Sequence, residues 1–543
     1  MNLREIYRDL RRKTDPHRVY RVLKEITSYH RIQGSEDLWN AVRRLREELS
    51  QAGVESRIQE APLDSSKGFV ETPVGWDPVY AELKIWVERD LVLDLDLKNH
   101  PTLLTAHVGS GEGCSELSLC YGDSCEREAV ITDLLPYEAY EKYSARLILH
   151  YNPSRHPEAV PYTSLFIRSQ DIKRDKVIMN IPYSKASRIV NDLAKNKSVK
   201  VCWKSETRYR TTGSLPILHT CTGDEEIMFI SHICHPLPGA HDNASGSTAN
   251  YLIAYLRDKS EYTRDLRYCN VWVPEYTGTV YLDKVLGGSI EYVVNLDMIG
   301  SRQEETGSVL TIVNPPIYSS TRIASAQFIA LKTSLDLVSS FNNTLTPSIR
   351  YDVTPYSTGS DHDLAVMWGL DTVMLNEWPS KYYHTDMDSI DTISIENLIN
   401  TAISSLIAGY IVSSRELSKR AEEIYRDYLR TWYAAKALIQ GVDVSGLSGF
   451  LRAEKRISVP RDLSRTPIHS RYIYRVLGGE LYSKIRRINL ALTYLEVYAA
   501  LSEISGLKNH IEIFQIEELI RWSEEERSLV SDAWEILRSH LKL

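Results

Sequence analysis

No apolar run in this chain approaches the length needed to span a bilayer; the longest candidate, residues 398–412, is interrupted by Asn400, Thr401, Ser404 and Ser405. Residues 1–6 contain no apolar signal core, so the cytoplasm is the default expectation and no membrane partner is expected. Cysteine is sparse and odd in number, at seven, with no zinc-ribbon spacing. Cys120 and Cys125 are expected as buried or free thiols, with Cys114 near enough for a local disulfide. Positive charge is not in excess: Lys and Arg number 64 against 72 Asp and Glu, a net charge of −8 that gives no reason to expect nucleic acid. Phenylalanine, at 7, is outnumbered by tyrosine, at 33, and with the many arginines this suits a thermophile. No internal repeat and no low-complexity tract occurs.

What is present is long enough for two to four domains, since 543 residues exceed what one core supports. The chemistry concentrates where an apolar strand, residues 227–231, runs into His232 and His235, with Asp242 following in a small-residue turn ahead of an apolar helix, residues 249–256. Two more apolar runs end in carboxylates: residues 271–274 at Glu275, and residues 292–296 at Asp297. A fourth, residues 372–375, leads through a short loop to His384. In an open α/β sheet ligands bind at the carboxyl ends of strands. Carboxylates are rarely buried unpaired, so imidazoles and carboxylates converging on one edge predict a zinc-type metal site.

The order of these pieces, Gly239-Ala240-His241-Asp242-Asn243-Ala244-Ser245-Gly246, then Glu275 to Gly278, Asn295 to Gly300, Ser360-Asp361-His362 and Tyr383-His384-Thr385, resembles the zinc aminopeptidases related to glutamate carboxypeptidase II, glutaminyl cyclase and the transferrin receptor. Tyr29-His30-Arg31 to Ser35 and a helix over residues 37–53 resemble the opening of that family. The resemblance covers residues 1–65 and 205–415. It implies an α/β fold, a mixed central sheet with helices on both faces. It also implies amide hydrolysis by a zinc-activated water, with Asp242 bridging two metals, Asp297 and His384 as terminal ligands, Glu275 as general base and Tyr383 holding the oxyanion. Asp361 and His362 resemble residues that orient the metal ligands; a surface helix N-cap with a histidine behind it is the other reading. For the first ligand the family's usual spacing favours His232, and the His-Pro step favours His235. Where the family carries two successive glutamates this chain has Glu275-Tyr276, so one tight zinc and a weaker second are expected unless His235 supplies the missing ligand.

The catalytic part is expected over residues 1–65 and 206–415. Residues 66–205 read as an inserted, mostly β domain that opens with antiparallel runs, residues 80–87 and 91–97, and resembles a protease-associated domain, with helices near 137–143 and 184–195. Residues 416–543 read as helical, with Leu417, Ile424, Tyr428 and Trp432 on one face and Ile485, Ile488, Leu492, Leu495 and Ala499 on another, stopping at Gly506. Such stripes suit docking on the catalytic part, a winged-helix arrangement, or a homo-oligomer, dimer or larger. Arg452, Arg456, Arg461, Arg465, Arg471 and Arg475 between them read as a solvated basic loop. The expected substrate is a peptide. Arg302 and Arg350 are candidates for a carboxylate clamp, and Glu304, Glu305 and Glu377 for an amine site. A metal-poor, non-catalytic binding scaffold is the competing reading, carried by Cys234 and Tyr276 alone.

Overall fold

The structure is a computed structural model that describes residues 2–120, 127–316, 319–441, 461–467, 474, 477–487 and 523–541. Its central sheet has eight strands in the order Arg57–Pro62, Ser214–His219, Tyr268–Val273, Ile227–His232, Tyr292–Asp297, Asp371–Trp378, Val309–Val313 and Tyr351–Thr354. The four that the sequence marks by their chemistry lie side by side and parallel. Ser214–His219 and Val309–Val313 flank them antiparallel, so the sheet is mixed. Ile227–His232, Tyr268–Val273 and Tyr292–Asp297 are buried at every residue, which is why they read as unbroken apolar runs.

Helices complete the layers. Ile395–Ser413 packs on Arg322–Leu335, on Gly246–Leu256 and on two N-terminal helices, Leu3–Lys13 and Pro16–Ile26. At 19 residues it is longer than the interrupted run 398–412 suggests, and by length and composition alone it could cross a membrane. However, 78% of its apolar stretch is buried inside the fold. Its polar interruptions have core partners: Asn400 accepts from the Tyr7 hydroxyl at 2.9 Å and Ser404 from Gln327 at 2.9 Å. The third N-terminal helix, Glu36–Gln51, is capped by Ser35, whose Oγ accepts from the Leu38 N–H at 3.1 Å.

A second sheet of seven strands lies between the first and second strands of the central sheet in chain order. The opening runs are antiparallel as expected, Gly75–Val87 pairing with Asp90–Asp96. From Gly111–Leu119 the order Ala129–Thr132, Leu147–His150, Val177–Asn180 is parallel. Parallel neighbours need crossovers, and Pro136–Lys142 is one of them. This sheet encloses its own apolar cluster.

Helix Arg415–Gln440 follows the helix that closes the central-sheet domain. Its buried stripe is Ala421, Tyr425, Leu429, Tyr433 and Ala437, with Leu417, Tyr428 and Trp432 half-buried beside it, whereas Ile424 is 47% exposed. The inner face is therefore turned from the expected one, because the Tyr425 hydroxyl finds Asn314 in the core at 2.7 Å. Segment 461–467 lies across the central-sheet domain: Arg461 donates to the carbonyls of Gly287 and Gly288, and the Trp368 indole to the Arg465 carbonyl at 3.0 Å. The basic run is thus partly an anchor. Its other members, Arg452, Arg456, Arg471 and Arg475, lie outside the described residues, as do Ile488, Leu492, Leu495, Ala499 and Gly506.

The cysteines depart from expectation. Cys114 pairs with Cys202 and Cys221 with Cys269, leaving Cys234 free and buried; Cys120 is disulfide-bonded as well, and Cys125 lies outside the described residues. Cys114 and Cys202 are 88 residues apart but stand opposite each other on neighbouring strands, a proximity that spacing along the chain cannot reveal.

Candidate active site

The parallel strands bring His232, Asp297 and, one residue past the end of Tyr268–Val273 and its Pro274, Glu275 to one edge of the sheet. Asp242 reaches the same place from the turn before helix Gly246–Leu256, and His384 from the loop after Asp371–Trp378. His232 Nε2 is 3.2 Å from Asp242 Oδ1 and 3.3 Å from Asp297 Oδ1. On the other side, His235 Nε2 is 3.4 Å and His384 Nε2 3.0 Å from Asp242 Oδ2. Both histidines between which the sequence leaves a choice are therefore present, one in each trio, and each oxygen of Asp242 faces one trio.

The donors suit divalent ions. Ligands held about 2.0–2.1 Å from zinc at tetrahedral angles lie roughly 3.3 Å apart, as these do. His235 Nε2 and Asp297 Oδ1 are buried with no hydrogen-bond partner among the described residues, an arrangement costly unless a cation fills it. The outward nitrogens are tethered, His232 Nδ1 to the Cys234 carbonyl and His235 Nδ1 to the Pro236 carbonyl, each at 3.0 Å, which turns both Nε2 atoms inward. Electrostatics agree. Burial opposes protonation of His232, but the carboxylates of Glu275, Asp297 and Asp242 outweigh it and hold the ring well above the usual imidazole range. Burial would likewise raise Asp242, yet His235, His232 and His384 hold it well below the usual carboxylate range.

His232, Asp242, Asp297 and His384 open on a cavity of about 720 Å³ that Glu275 and Tyr383 also line. Burial, aided by Asp297 and Asp361, pushes the Glu275 carboxyl well above its ordinary value. Its backbone is clamped: the N–H donates to Cys234 Sγ at 3.2 Å and the carbonyl accepts from Gln33 at 3.0 Å. Cys234 is thus a brace for Glu275. The Tyr383 ring stacks on His384 at 3.8 Å, with the Arg155 guanidinium over it at 4.7 Å.

Other candidates fall elsewhere. Tyr276 has a left-handed backbone, φ 56°, and its hydroxyl donates to Asp363 at 2.6 Å, so the missing carboxylate leaves no gap there. Arg302 and Arg350 bond to backbone carbonyls of Ile393 and Gln303, away from the cavity. Glu304 and Glu305 are exposed. Glu377 is fully buried and saturated by the N–H groups of Gly300 and Ser301 and the hydroxyls of Ser301 and Ser308. Asp361 and His362 are buried, not surface caps: Asp361 accepts from the Tyr276 N–H and the Thr279 hydroxyl, and His362 bonds the Ser357 carbonyl.

Three residues carry no clear mark in the sequence. Asp388 accepts from the N–H groups of His241 and Asp242 at 2.9 and 3.0 Å, fixing the turn that presents Asp242. Arg31, fully buried, donates to the carbonyls of Ile26, Tyr29, Ile233 and Gly239 and so holds the loop that carries His235. Tyr162 arrives from the inserted sheet. Only Arg31 leaves a trace in sequence, inside the opening segment that resembles the family.

Residues 216–407 match Peptidase family M28, and the span contains His232, His235, Asp242, Glu275, Asp297, Tyr383 and His384. Among solved structures, a Clostridium acetobutylicum protein assigned as a peptidase is 15% identical, covering 76% of this chain and 84% of its own, with a TM-score of 0.52. A Peptidase M28 precursor of Shewanella amazonensis is 13% identical over 76% and 97%, at 0.51. BSAP, a zinc aminopeptidase from Bacillus subtilis, is 15% identical over 73% and 94%, at 0.48. At these identities the likeness shows the fold alone. A comparison with curated proteins found no match.

Proposed function

We propose that this chain is a zinc-dependent peptide hydrolase that removes residues from the amino end of peptides, with His232, Asp242 and Asp297 holding one ion and His235, Asp242 and His384 a second. The observation that carries this reading is the pair of donor trios sharing Asp242, with Glu275 on the same cavity wall. Zinc bound there would act as a Lewis acid that lowers the pKa of water and polarises the scissile carbonyl. Glu275, its carboxyl basic because it is buried, takes the proton from the attacking water and delivers it to the leaving amine. The Tyr383 hydroxyl donates to the carbonyl oxygen as it gains charge, the kind of contact that usually contributes most to rate.

Action at the amino end is favoured by the charge of the cavity. Among the described residues its walls carry no lysine or arginine, and beside Asp242 and Asp297, assigned to the ions, and Glu275, assigned to the proton, they carry one further carboxylate, Glu71. Such walls suit an α-ammonium group and offer no clamp for a terminal carboxylate. Activity of Glu275→Gln against that of the unmodified enzyme, on free and N-blocked peptides, tests the reading. The variant should keep its zinc and fold while losing about two to four orders of magnitude in kcat, the range for a positioned base. Loss of zinc from the variant would make Glu275 a ligand instead, and a dialysed unmodified chain without zinc would be a binding scaffold.

A further inference from the structure

The inserted sheet sends an arm, residues 155–162, across to the catalytic part. It is latched there by reciprocal bonds: the Val160 N–H donates to Asp386 Oδ1 at 2.9 Å, and the Asp386 N–H to the Val160 carbonyl at 3.1 Å. His100 bonds the other oxygen of Asp386 at 2.7 Å, and Thr102 the Val160 carbonyl at 2.8 Å. At the tip, the Tyr162 N–H donates to the His384 carbonyl at 2.7 Å. The Tyr162 ring meets two imidazoles edge-on, His235 at 5.0 Å and His384 at 5.1 Å between centroids. Those imidazoles are 5.5 Å apart.

His384 needs such support. Its φ of 52° is a left-handed conformation that a non-glycine residue adopts only when its surroundings impose it. His235 lies outside the named strands, tied by one β-bridge to Arg31 and by its Nδ1 to the Pro236 carbonyl, so it lacks the full ladder that orders His232. The other trio differs: His232 and Asp297 end strands of the parallel sheet, and Tyr162 makes no ring contact with either.

We infer that Tyr162, a residue of the inserted sheet, is the positioning residue for the His235–His384 pair, so that the insertion completes one of the two metal sites and leaves the other to the catalytic sheet alone. The inference rests on the two-ion reading above. Its physical content is that the backbone N–H of Tyr162 fixes where His384 stands, whereas its ring wedges the two imidazoles at the separation needed to share an ion with Asp242. Groups that orient metal ligands typically change affinity about 10–100-fold when removed.

The test is a zinc titration of the full chain and of Tyr162→Ala, Tyr162→Leu and Tyr162→Phe, read by calorimetry or by competition with a chelating dye. Two sites are expected in the unmodified chain. In Tyr162→Ala and Tyr162→Leu one site should weaken by about 10–100-fold and the other stay unchanged, and Tyr162→Phe, which keeps the ring, should bind as the unmodified chain does. Tyr162→Leu keeps most of the buried volume and so guards against simple unfolding. Two sites of unaltered affinity in both variants, or both sites weakened alike, would overturn the inference while leaving the proposed function intact. An unmodified chain binding fewer than two ions would overturn the two-ion reading and this inference with it.

Discussion

In the proposed metal centre His235 and Asp242 have unequal shares. Asp242 has one oxygen in each trio, His235 belongs to only one, and Tyr276 belongs to neither. Zinc content after dialysis should therefore fall from two to one in His235→Ala and to none in Asp242→Ala; one tight ion surviving in the Asp242 variant would end the bridging geometry. Tyr276→Glu should gain no ion. Its side chain points to Asp363 and its N–H is committed to Asp361, so a carboxylate there adds repulsion where a phenol now donates. A higher zinc count or a higher melting temperature in that variant would contradict the geometry.

The loops depend on single buried groups at the scale of elements. Among the described residues Arg31 is paired with no carboxylate; burial lowers its pKa to about 10, and its donors are spent on carbonyls of two separate loops. A lysine offers a point charge in place of a planar fork and cannot reach both loops. Each carbonyl left unpaired costs about 1–3 kcal/mol, so Arg31→Lys should lower the unfolding free energy by several kcal/mol and weaken one zinc site. An unchanged denaturation midpoint would show that water replaces the guanidinium. Glu377 ties the Gly300-Ser301 turn to its strand, and burial pushes its carboxyl up to about 7 from 4.5. Between those values the native chain holds a proton that the unfolded chain releases. Stability should therefore fall as pH rises through this window, the deficit being complete above about 7. Glu377→Gln should flatten that slope by at most about 1.4 kcal/mol per pH unit, the limit for a single proton. Urea curves that keep the same pH dependence in both proteins across the window would refute it.

The whole molecule joins two sheets through the site. Ions bound only by the native fold stabilise it by mass action, about 4 kcal/mol at a thousandfold excess over Kd. Chelation should lower the melting temperature of the unmodified chain but leave Asp242→Ala where it is; an equal drop in both would mean that the chelator acts elsewhere. The Cys114–Cys202 and Cys221–Cys269 disulfides each brace one sheet. Such bridges persist in oxidising compartments and, exceptionally, inside hyperthermophiles, so a cytoplasmic location for this chain carries the second condition with it.

The parallel strands and their chemistry were legible because the pattern is local. A strand buried on both faces is continuously apolar, and a carboxylate or imidazole at its end has few reasons to be there except a site. His232, Glu275 and Asp297 therefore stand out at once, and the α/β class with them. The registers that set Cys114 against Cys202, the turn of helix Arg415–Gln440 that buries Tyr425 and exposes Ile424, and the parallel half of the inserted sheet were not legible, since each is decided by a partner far along the chain. The same holds inside the site. By itself the sequence determined that metal-capable residues end neighbouring strands, because period and polarity are properties of short segments. Only the tertiary structure decided that His235 joins His384 rather than His232, that Tyr276 turns to Asp363, and that Arg31, Asp388 and Tyr162 pack against the loops carrying His235, Asp242 and His384. Those choices follow from loops whose conformation is fixed by hydrogen bonds to distant backbone, which no window of sequence contains.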